Sequence, residues 1–350
     1  MQTRNRILFS GSTAVLAVFS LCFLSGCQRS SIAASAATPQ PVLATDPIPR
    51  TPERLARGKY LVEGLVQCPA CHSDYDFTHR PAQPVAGKKG GGHVFRNEEL
   101  LLPDGNRVVA PNITPDPDYG AGKWKDSDFV RALRQGIGHD GRTLYPLMPY
   151  QYFRGLSDED LASIIVYVRT LAPVHIEQPK TFLTEDIRKS FQPLPPVDHV
   201  ADPDRSDRIA YGKYLVNAGH CDGCHTPLDE KGSPIPDMYL AGGAPLIGAW
   251  GPDPVKVINV ASLNLTPDPS GIAYFDEKIF INAIRSGSVN ARPLSNIMPW
   301  NYFRNLTDDD LKAIFAYLRT VKPVKHRVDN TEVARYCKQC RGKHGFGERN

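Results

Sequence analysis

The chain of 350 residues has little surplus charge of either sign, only four methionines and no long run of alternating apolar and polar residues. Its formal net charge is +4, which argues against a nucleic-acid-binding protein because such proteins carry a clustered basic surplus. The missing alternation argues against long, half-buried strands. The length suits about two domains, and 41% hydrophobic residues predict globular domains with packed cores.

Residues 1–27 have the pattern of an export signal. Arg4 and Arg6 precede an apolar stretch, residues 7–24, which leads into Leu-Ser-Gly-Cys27. This tetrapeptide resembles a bacterial lipobox, whose cysteine accepts a lipid. The alternative is a plain signal peptide, or an uncleaved anchor, in which Cys27 is incidental. We predict that Cys27 is lipidated and that the protein is exported and anchored to a bacterial membrane, facing the periplasm or the cell exterior.

The rest of the chain contains one long repeat. Gly-Lys-Tyr-Leu-Val begins at residue 58 and again at residue 212, and a Cys-x-x-Cys-His motif follows each copy. A Thr-Pro-Asp-Pro segment and a Met-Pro segment then recur in each half. The period is far longer than that of a solenoid, so tandem domains are expected. We predict a flexible tether (28–51), a first domain (52–174), a Pro-rich linker (175–207), a second domain (208–324) and a C-terminal tail (325–350).

Each half is predicted to be mainly helical. Ser157 and Thr307 are capping residues, each followed by an aspartate three positions later. Apolar residues recur at helical spacing behind both caps. Asp126 or Ser127 in the first half, and Asp276 in the second, are expected to cap an earlier helix. The predicted fold class is therefore all-α, with two tandem domains.

The two Cys-x-x-Cys-His motifs indicate a specific chemistry. Two thiols at this spacing add to the vinyl groups of haem, and the adjacent histidine faces the iron as its proximal ligand. One copy alone could be a zinc or redox motif, but two copies at equivalent positions of a repeat predict two covalently bound haem c groups. The residues are Cys68, Cys71 and His72 in the first half, and Cys221, Cys224 and His225 in the second.

The second axial ligand of each iron follows by elimination. Met1 lies in the leader, and Met238 follows the second motif too closely and has no counterpart in the first half. Met148 and Met298 remain, one in each half, and each precedes a proline that stiffens its loop. The alternative is that both methionines only fill the core. His139 also competes with Met148 as a ligand in the first half.

At these residues a family resemblance becomes clear, because each half resembles a class I cytochrome c domain. Residues 110–116, 144–149 and 156–161 resemble segments of the cytochrome subunits of membrane-bound alcohol and gluconate dehydrogenases. The likeness covers about residues 52–174 and 208–324. Those subunits usually carry three haems, whereas this chain has two such motifs.

The resemblance implies a redox partner protein. The chain would carry electrons from a periplasmic quinoprotein or flavoprotein dehydrogenase, or from quinol, to a terminal oxidase or another respiratory acceptor. The alternative is a di-haem peroxidase. Two irons that each hold a histidine and a methionine leave no open position for peroxide, which favours the electron carrier.

The tail holds a cysteine pair that neither haem nor lipid uses. Cys337 and Cys340 have the haem spacing, but Arg341 stands where the proximal histidine should be. A zinc site that included His344 would need a fourth ligand, for which His326 is a candidate. In an oxidising compartment, however, a disulfide is the default for spare thiols that lie close together. We therefore predict a Cys337–Cys340 disulfide without haem or metal.

The haem assignment predicts how the cofactor behaves on extraction. Because four cysteines are assigned to thioether bonds, two haems per chain should stay with the polypeptide in acid–acetone. A pyridine haemochrome assay measures this number, and the Cys337→Ser variant should keep both haems. Haem that leaves with the solvent, or one haem per chain, would contradict the assignment.

Overall fold

The computed structural model describes most of the chain after the predicted leader. The leader and Cys27 lie outside the described residues, which are 42–79, 81–100, 102–230, 232–248 and 258–345. No helix in these ranges is long and apolar enough to cross a membrane. The helices are α1 (Pro52–Tyr60), α2 (Cys68–Cys71), α3 (Asn97–Leu100), α4 (Asp126–Gln135), α5 (Tyr150–Phe153), α6 (Asp158–Val168), α7 (Glu185–Lys189), α8 (Arg208–Ala218), α9 (Cys221–His225), α10 (Glu277–Ser286), α11 (Trp300–Phe303) and α12 (Asp308–Leu318), with a 3₁₀-helix at Val42–Ala44 and a π-helical turn at Leu61–Leu65.

The structure is mostly helical but also contains small sheets, so the all-α prediction was incomplete. Each sheet pairs two short antiparallel strands, too short to leave a recognisable alternating pattern in the sequence. The pairs are β1 (Tyr75–Asp76) with β2 (Gln83–Pro84), β3 (His93–Val94) with β4 (Val109–Ala110), β5 (Pro245–Gly248) with β6 (Ile258–Ala261), β7 (Ser288–Val289) with β8 (Arg292–Pro293), and β9 (Arg335–Tyr336) with β10 (Lys343–His344).

The first and last helices of each half cross in close contact at a glycine. A Cβ atom on Gly58 in α1 would lie 1.9 Å from the carbonyl oxygen of Ser163 in α6. In the second half, a Cβ atom on Gly212 in α8 would lie 1.9 Å from the carbonyl oxygen of Ala313 in α12. Only glycine permits this approach of one backbone to the other. Both halves therefore use the same helix crossing.

A buried asparagine and threonine join the end of each half to its middle. The Asn112 amide donates to the carbonyl of Val174 at 2.6 Å, while its oxygen accepts from the backbone and hydroxyl of Thr114. Asn264 and Thr266 repeat this arrangement in the second half. These bonds satisfy buried polar groups on both sides. They explain why the Thr-Pro-Asp-Pro segment occurs twice.

The two halves contact each other reciprocally. Tyr60 from the first half donates to Asp310 of the second at 2.5 Å, and Tyr214 from the second donates to Asp160 of the first at 2.6 Å. Arg57 also binds both oxygens of Asp160, at 2.7 and 2.8 Å. Residues of both halves belong to one continuous hydrophobic core. The contact between the halves is therefore part of the fold.

Three of the predicted helix caps are confirmed. Ser157 and Thr307 each accept from the backbone N–H of the aspartate three residues later, at 3.1 and 3.2 Å, and Asp276 accepts from Ile279 at 2.7 Å. The fourth prediction was wrong, because Lys125 occupies the cap position of α4. Its neighbour Asp126 lies inside the helix and uses its carboxylate for distant parts of the chain.

One of these distant contacts shortens the predicted tether. Ile48 is only 3% exposed, and its backbone N–H donates to Asp126 at 2.7 Å. The packed part of the chain thus begins before residue 52. The Pro-rich linker also runs along the first half, where Val200 donates to Asp158 at 3.1 Å and Leu194 to the carbonyl of Gln135 at 2.9 Å.

The helix crossings predict which glycines the fold needs. Gly58→Ala or Gly212→Ala should lower the free energy of unfolding by about 1–3 kcal/mol, because the new methyl group must push two helices apart. Gly155→Ala is the matched control, since its Cβ would meet only one atom, at 3.4 Å, and should cost less than about 0.5 kcal/mol. Denaturant unfolding at equal haem content measures both, and equal stability of all three variants would contradict the packing argument.

Candidate functional site

Both Cys-x-x-Cys-His motifs begin at the same sharp change in chain direction. Gln67 and His220, which precede the first cysteine of each motif, have left-handed backbone conformations with φ of 45° and 43°. Each motif then forms a short helical turn, α2 in the first half and α9 in the second. The first helix of each half therefore leads directly into its predicted attachment site.

The two predicted proximal histidines are held in the same way. The ring of His72 is buried, and its Nδ1 bonds the carbonyl of Pro111 at 2.8 Å. His225 bonds the carbonyl of Leu263 at 2.7 Å. Burial lowers the pKa of both rings, which favours neutral imidazole. Because Nδ1–H donates to a carbonyl, Nε2 carries the lone pair and can bind iron.

The four motif thiols are partly buried. Burial raises the pKa of Cys68 and Cys221 to about 12, and that of Cys71 and Cys224 to about 11. Reactive redox cysteines have low pKa values and accessible thiolates. The structure therefore disfavours a dithiol redox role for either motif.

The first motif opens onto a cavity that also contains the predicted methionine. Cys68, Cys71, His72 and Met148 line it together. Its walls are largely apolar, with Phe129, Leu133, Ile164, Ile165 and Val168. Haem c needs two thiols to add to its vinyl groups, and an imidazole nitrogen and a thioether can bind its iron, all around an apolar cavity. The residues of the first half therefore fit this cofactor.

His139, the competing ligand, lines the same cavity. It is exposed to solvent, and its ring stacks on Trp124 with 4.3 Å between ring centroids. Stacking gives His139 a role apart from iron binding, whereas Met148 is partly buried against the core. The geometry favours Met148 as the iron ligand, and variants of Met148 and His139 can be compared directly.

The methionine loop of the second half has the same local geometry. The backbone N–H of Trp300 donates to the carbonyl of Met298 at 2.8 Å, as that of Tyr150 does to Met148 at 2.8 Å. Met298, like Met148, is partly buried against the main core. Equivalent loops thus present both methionines, and ligation by Met298 stays a prediction.

The two motifs lie at a shared cavity between the halves. Its lining includes Cys68, Cys71 and His72 from the first motif, and Gly223 and Cys224 from the second. The sequence contained no sign of this juxtaposition, since the motifs lie in different halves of the chain. Two haems attached at these positions would be close neighbours.

Hydrogen bonds between side chains join the halves beside this cavity. Gln67 donates to Nε2 of His220 at 3.4 Å, and burial lowers the pKa of His220 to about 4, so the ring stays neutral and can accept. No sequence pattern marks Gln67 or His220 as a contact between the halves, whereas the tyrosines of the two Met-Pro segments recur at equivalent positions. Two further hydrogen-bonded pairs are Tyr152 with Asp222 at 3.3 Å, and the hydroxyl groups of Tyr75 and Tyr302.

The structure gives the tail cysteines further neighbours. Cys337 and Cys340 are unbonded here, and their disulfide stays a prediction. The β9–β10 hairpin turns both sulfur atoms toward the imidazoles of His326 and His344.

Comparison with known proteins agrees with this geometry. The cytochrome c family model matches residues 209–322. Over 294 residues, the chain is 31% identical to the cytochrome c subunit of a quinone alcohol dehydrogenase from Gluconobacter oxydans, and 32% identical to the fructose dehydrogenase cytochrome subunit of Gluconobacter japonicus. These alignments cover 77% and 79% of this chain, but only 55% of each relative. A diheme cytochrome c-type protein of Cereibacter sphaeroides is 27% identical over 266 residues, which are 74% of this chain and 83% of that protein.

The family match identifies the second half of the chain. It contains a cytochrome c domain, and such a domain implies covalently bound haem c. The chain as a whole is related to cytochrome c subunits of dehydrogenases, and it spans little more than half the length of the two dehydrogenase subunits compared above.

The ligand assignment predicts spectroscopic changes in methionine variants. Met148→Ala and Met298→Ala should each weaken the far-red methionine–iron band by about half and leave one iron high-spin. Met238→Ala is the control, because this buried methionine belongs to neither loop, and it should leave the band unchanged. If His139→Ala makes an iron high-spin and Met148→Ala does not, His139 is the ligand in the first half.

Proposed function

We propose that this protein is an electron carrier with one covalently bound haem c in each half. It passes electrons from a dehydrogenase, or from quinol, to a downstream respiratory acceptor. A lipid on Cys27 would hold it to the membrane, with the folded part facing the periplasm or the cell exterior.

The cavity shared by the two motifs is the observation that carries the proposal. Cys68, Cys71 and His72 of the first half and Cys224 of the second line this one cavity, which supports electron transfer between two haems bound within the chain. His72 and Met148 in the first half, and His225 and Met298 in the second, would hold the haem irons, and haem would supply one-electron redox chemistry there. Two separate carriers joined by a long linker would not need such an interface.

The chain's own residues limit how much the site must rearrange. Pro111 and Leu263 fix the proximal imidazoles through their carbonyls. A proline follows each predicted methionine ligand and restricts its loop. Ligands held in this way before and after a change in iron charge suit electron transfer better than catalysis at an open iron.

The relatives support a dehydrogenase as the partner. Several are described as cytochrome subunits of alcohol, fructose or gluconate dehydrogenases. The diheme relative, matched over 83% of its length, supports two haems in a chain of this size. The peroxidase alternative gains no support from these relatives.

Anaerobic reductive titration of the full-length protein tests the proposal. Wild-type protein should take up two electrons per chain, and a quinoprotein alcohol dehydrogenase supplied with ethanol should reduce it. The Cys221→Ser/Cys224→Ser variant should accept one electron, because only the first motif can hold its haem. The Cys27→Ser variant should take up two electrons but appear in the soluble fraction.

Two results would contradict the proposal of a carrier with two haems. One is unmodified protein that consumes hydrogen peroxide at enzymatic rates. The other is wild-type protein that takes up only one electron per chain.

A further inference from the structure

The β9–β10 hairpin in the tail brings four potential metal ligands together. Tyr336 pairs with Lys343 in the hairpin, and the backbone N–H of Cys337 donates to the carbonyl of Gly342 at 2.8 Å. Arg341 has a left-handed conformation with φ of 54°, which closes the turn after Cys340. This tight turn places both thiols on the side of the hairpin that faces the domain.

The third and fourth groups are imidazoles. His344 lies in strand β10, and His326 lies in the segment that follows α12. Nitrogen or sulfur ligand atoms of His326, Cys337, Cys340 and His344 all lie within 4.8 Å of one another. The two rings are nearly perpendicular, at 87°, with 5.2 Å between their centroids. Four possible ligands from three parts of the tail thus lie close enough together to share one metal ion.

Hydrogen bonding has already oriented His326 for metal binding. The ring is 3% exposed, and its Nδ1 bonds the carbonyl of Ala241 at 2.8 Å. The proton therefore lies on Nδ1, and the Nε2 lone pair faces the cluster, 3.4 Å from Sγ of Cys337. A backbone carbonyl that fixes the tautomer in this way is a common second partner of metal-binding histidines.

A disulfide would account for only half of the cluster. It would join Cys337 to Cys340 across a very short loop, where the entropic gain is small. It would leave both imidazoles without a reason to face the sulfur atoms. Nε2 of His344 is buried and has no hydrogen-bond partner among the described residues. Leaving a buried polar atom unpaired is costly, and a metal ion would remove that cost.

We propose that His326, Cys337, Cys340 and His344 bind one Zn²⁺ ion in a structural site. Two cysteines and two histidines form a common tetrahedral zinc site. Zinc bonds of about 2.3 Å to sulfur and about 2.0 Å to nitrogen put neighbouring ligand atoms about 3.3–3.8 Å apart. The observed 3.4 Å between Nε2 of His326 and Sγ of Cys337 falls in this range. Binding releases the two thiol protons.

The ligand set also defines what the zinc does. Four protein ligands fill a tetrahedral ion, so no position is open for water or substrate. Met238, Ala241 and Val324 pack against the cysteines as a small separate core that shields the site. The ion therefore stabilises the tail and catalyses no reaction.

The site also connects the tail to the second Cys-x-x-Cys-His motif. The loop that bonds His326 through Ala241 continues to Gly242, whose N–H donates to the carbonyl of His225 at 2.7 Å. Bound zinc would thus support the backbone around the second proximal histidine. All four proposed zinc ligands lie in the tail, so the zinc site would exist with or without a second haem.

Metal analysis of the full-length, haem-loaded protein tests the proposal. Mass spectrometry of the metals should find about one zinc per chain in addition to the haem iron. X-ray absorption at the zinc edge should show two sulfur atoms at about 2.3 Å and two nitrogen atoms at about 2.0 Å. Both tail thiols should react with an alkylating agent after denaturation with a chelator and without reductant.

Single substitutions locate the zinc. Cys340→Ser and His326→Ala should lower the zinc content at least tenfold. His79→Ala is the matched control, since this exposed histidine in the first half lies outside the cluster, and it should retain the zinc. Haem content and the far-red band show whether each variant has folded.

Three results would overturn the proposal, and the first two need only wild-type protein. One is absence of zinc together with a Cys337–Cys340 disulfide in non-reducing peptide maps. Another is a different metal in stoichiometric amount at the four residues. The third is full zinc retention in both ligand variants. None of these results affects the electron-uptake test of the carrier function.

Discussion

The first helix of each half lies so close to the last that no side chain fits between them at Gly58 or Gly212. The rest of each half depends on this contact. Helix α1 leads through the π-helical turn into the first Cys-x-x-Cys-His motif, while α6 supplies part of the wall of the adjacent cavity. Because the two backbones touch, the attachment residues and the cavity wall keep a fixed separation. In the second half, α8 and α12 cross in the same way.

The contact between the halves fixes the position of one half relative to the other. Each half extends a tyrosine from its first helix to an aspartate at the start of the last helix of the other, Tyr60 to Asp310 and Tyr214 to Asp160. Buried carboxylates tolerate few arrangements, since losing a partner leaves an unpaired charge. The spacing of the two motifs is thus set by the fold, as the proposed carrier with two haems would require.

After its last helix, each half is completed by a different segment. In the first half the linker covers strand β4, where Val109 donates to the hydroxyl of Thr181 at 3.0 Å. In the second half the tail covers β6, where Asn330 exchanges two hydrogen bonds of 2.8 Å with Ala261. The linker does this without a cysteine pair. The tail carries the Cys₂His₂ cluster, and the proposed zinc ion would hold this segment against the second half.

The sequence by itself determined what is local in the chain. It contained both Cys-x-x-Cys-His motifs and the caps at Ser157, Thr307 and Asp276, because each depends on residues within a few positions of one another, and it contained the repeat that relates the two halves. Only the tertiary structure decided which distant groups meet. Gln67 reaches His220, and His326 joins the tail cysteines, across separations that leave no periodic pattern in a sequence. For the same reason, the spacing of Cys337 and Cys340 cannot show the imidazoles that folding brings beside them.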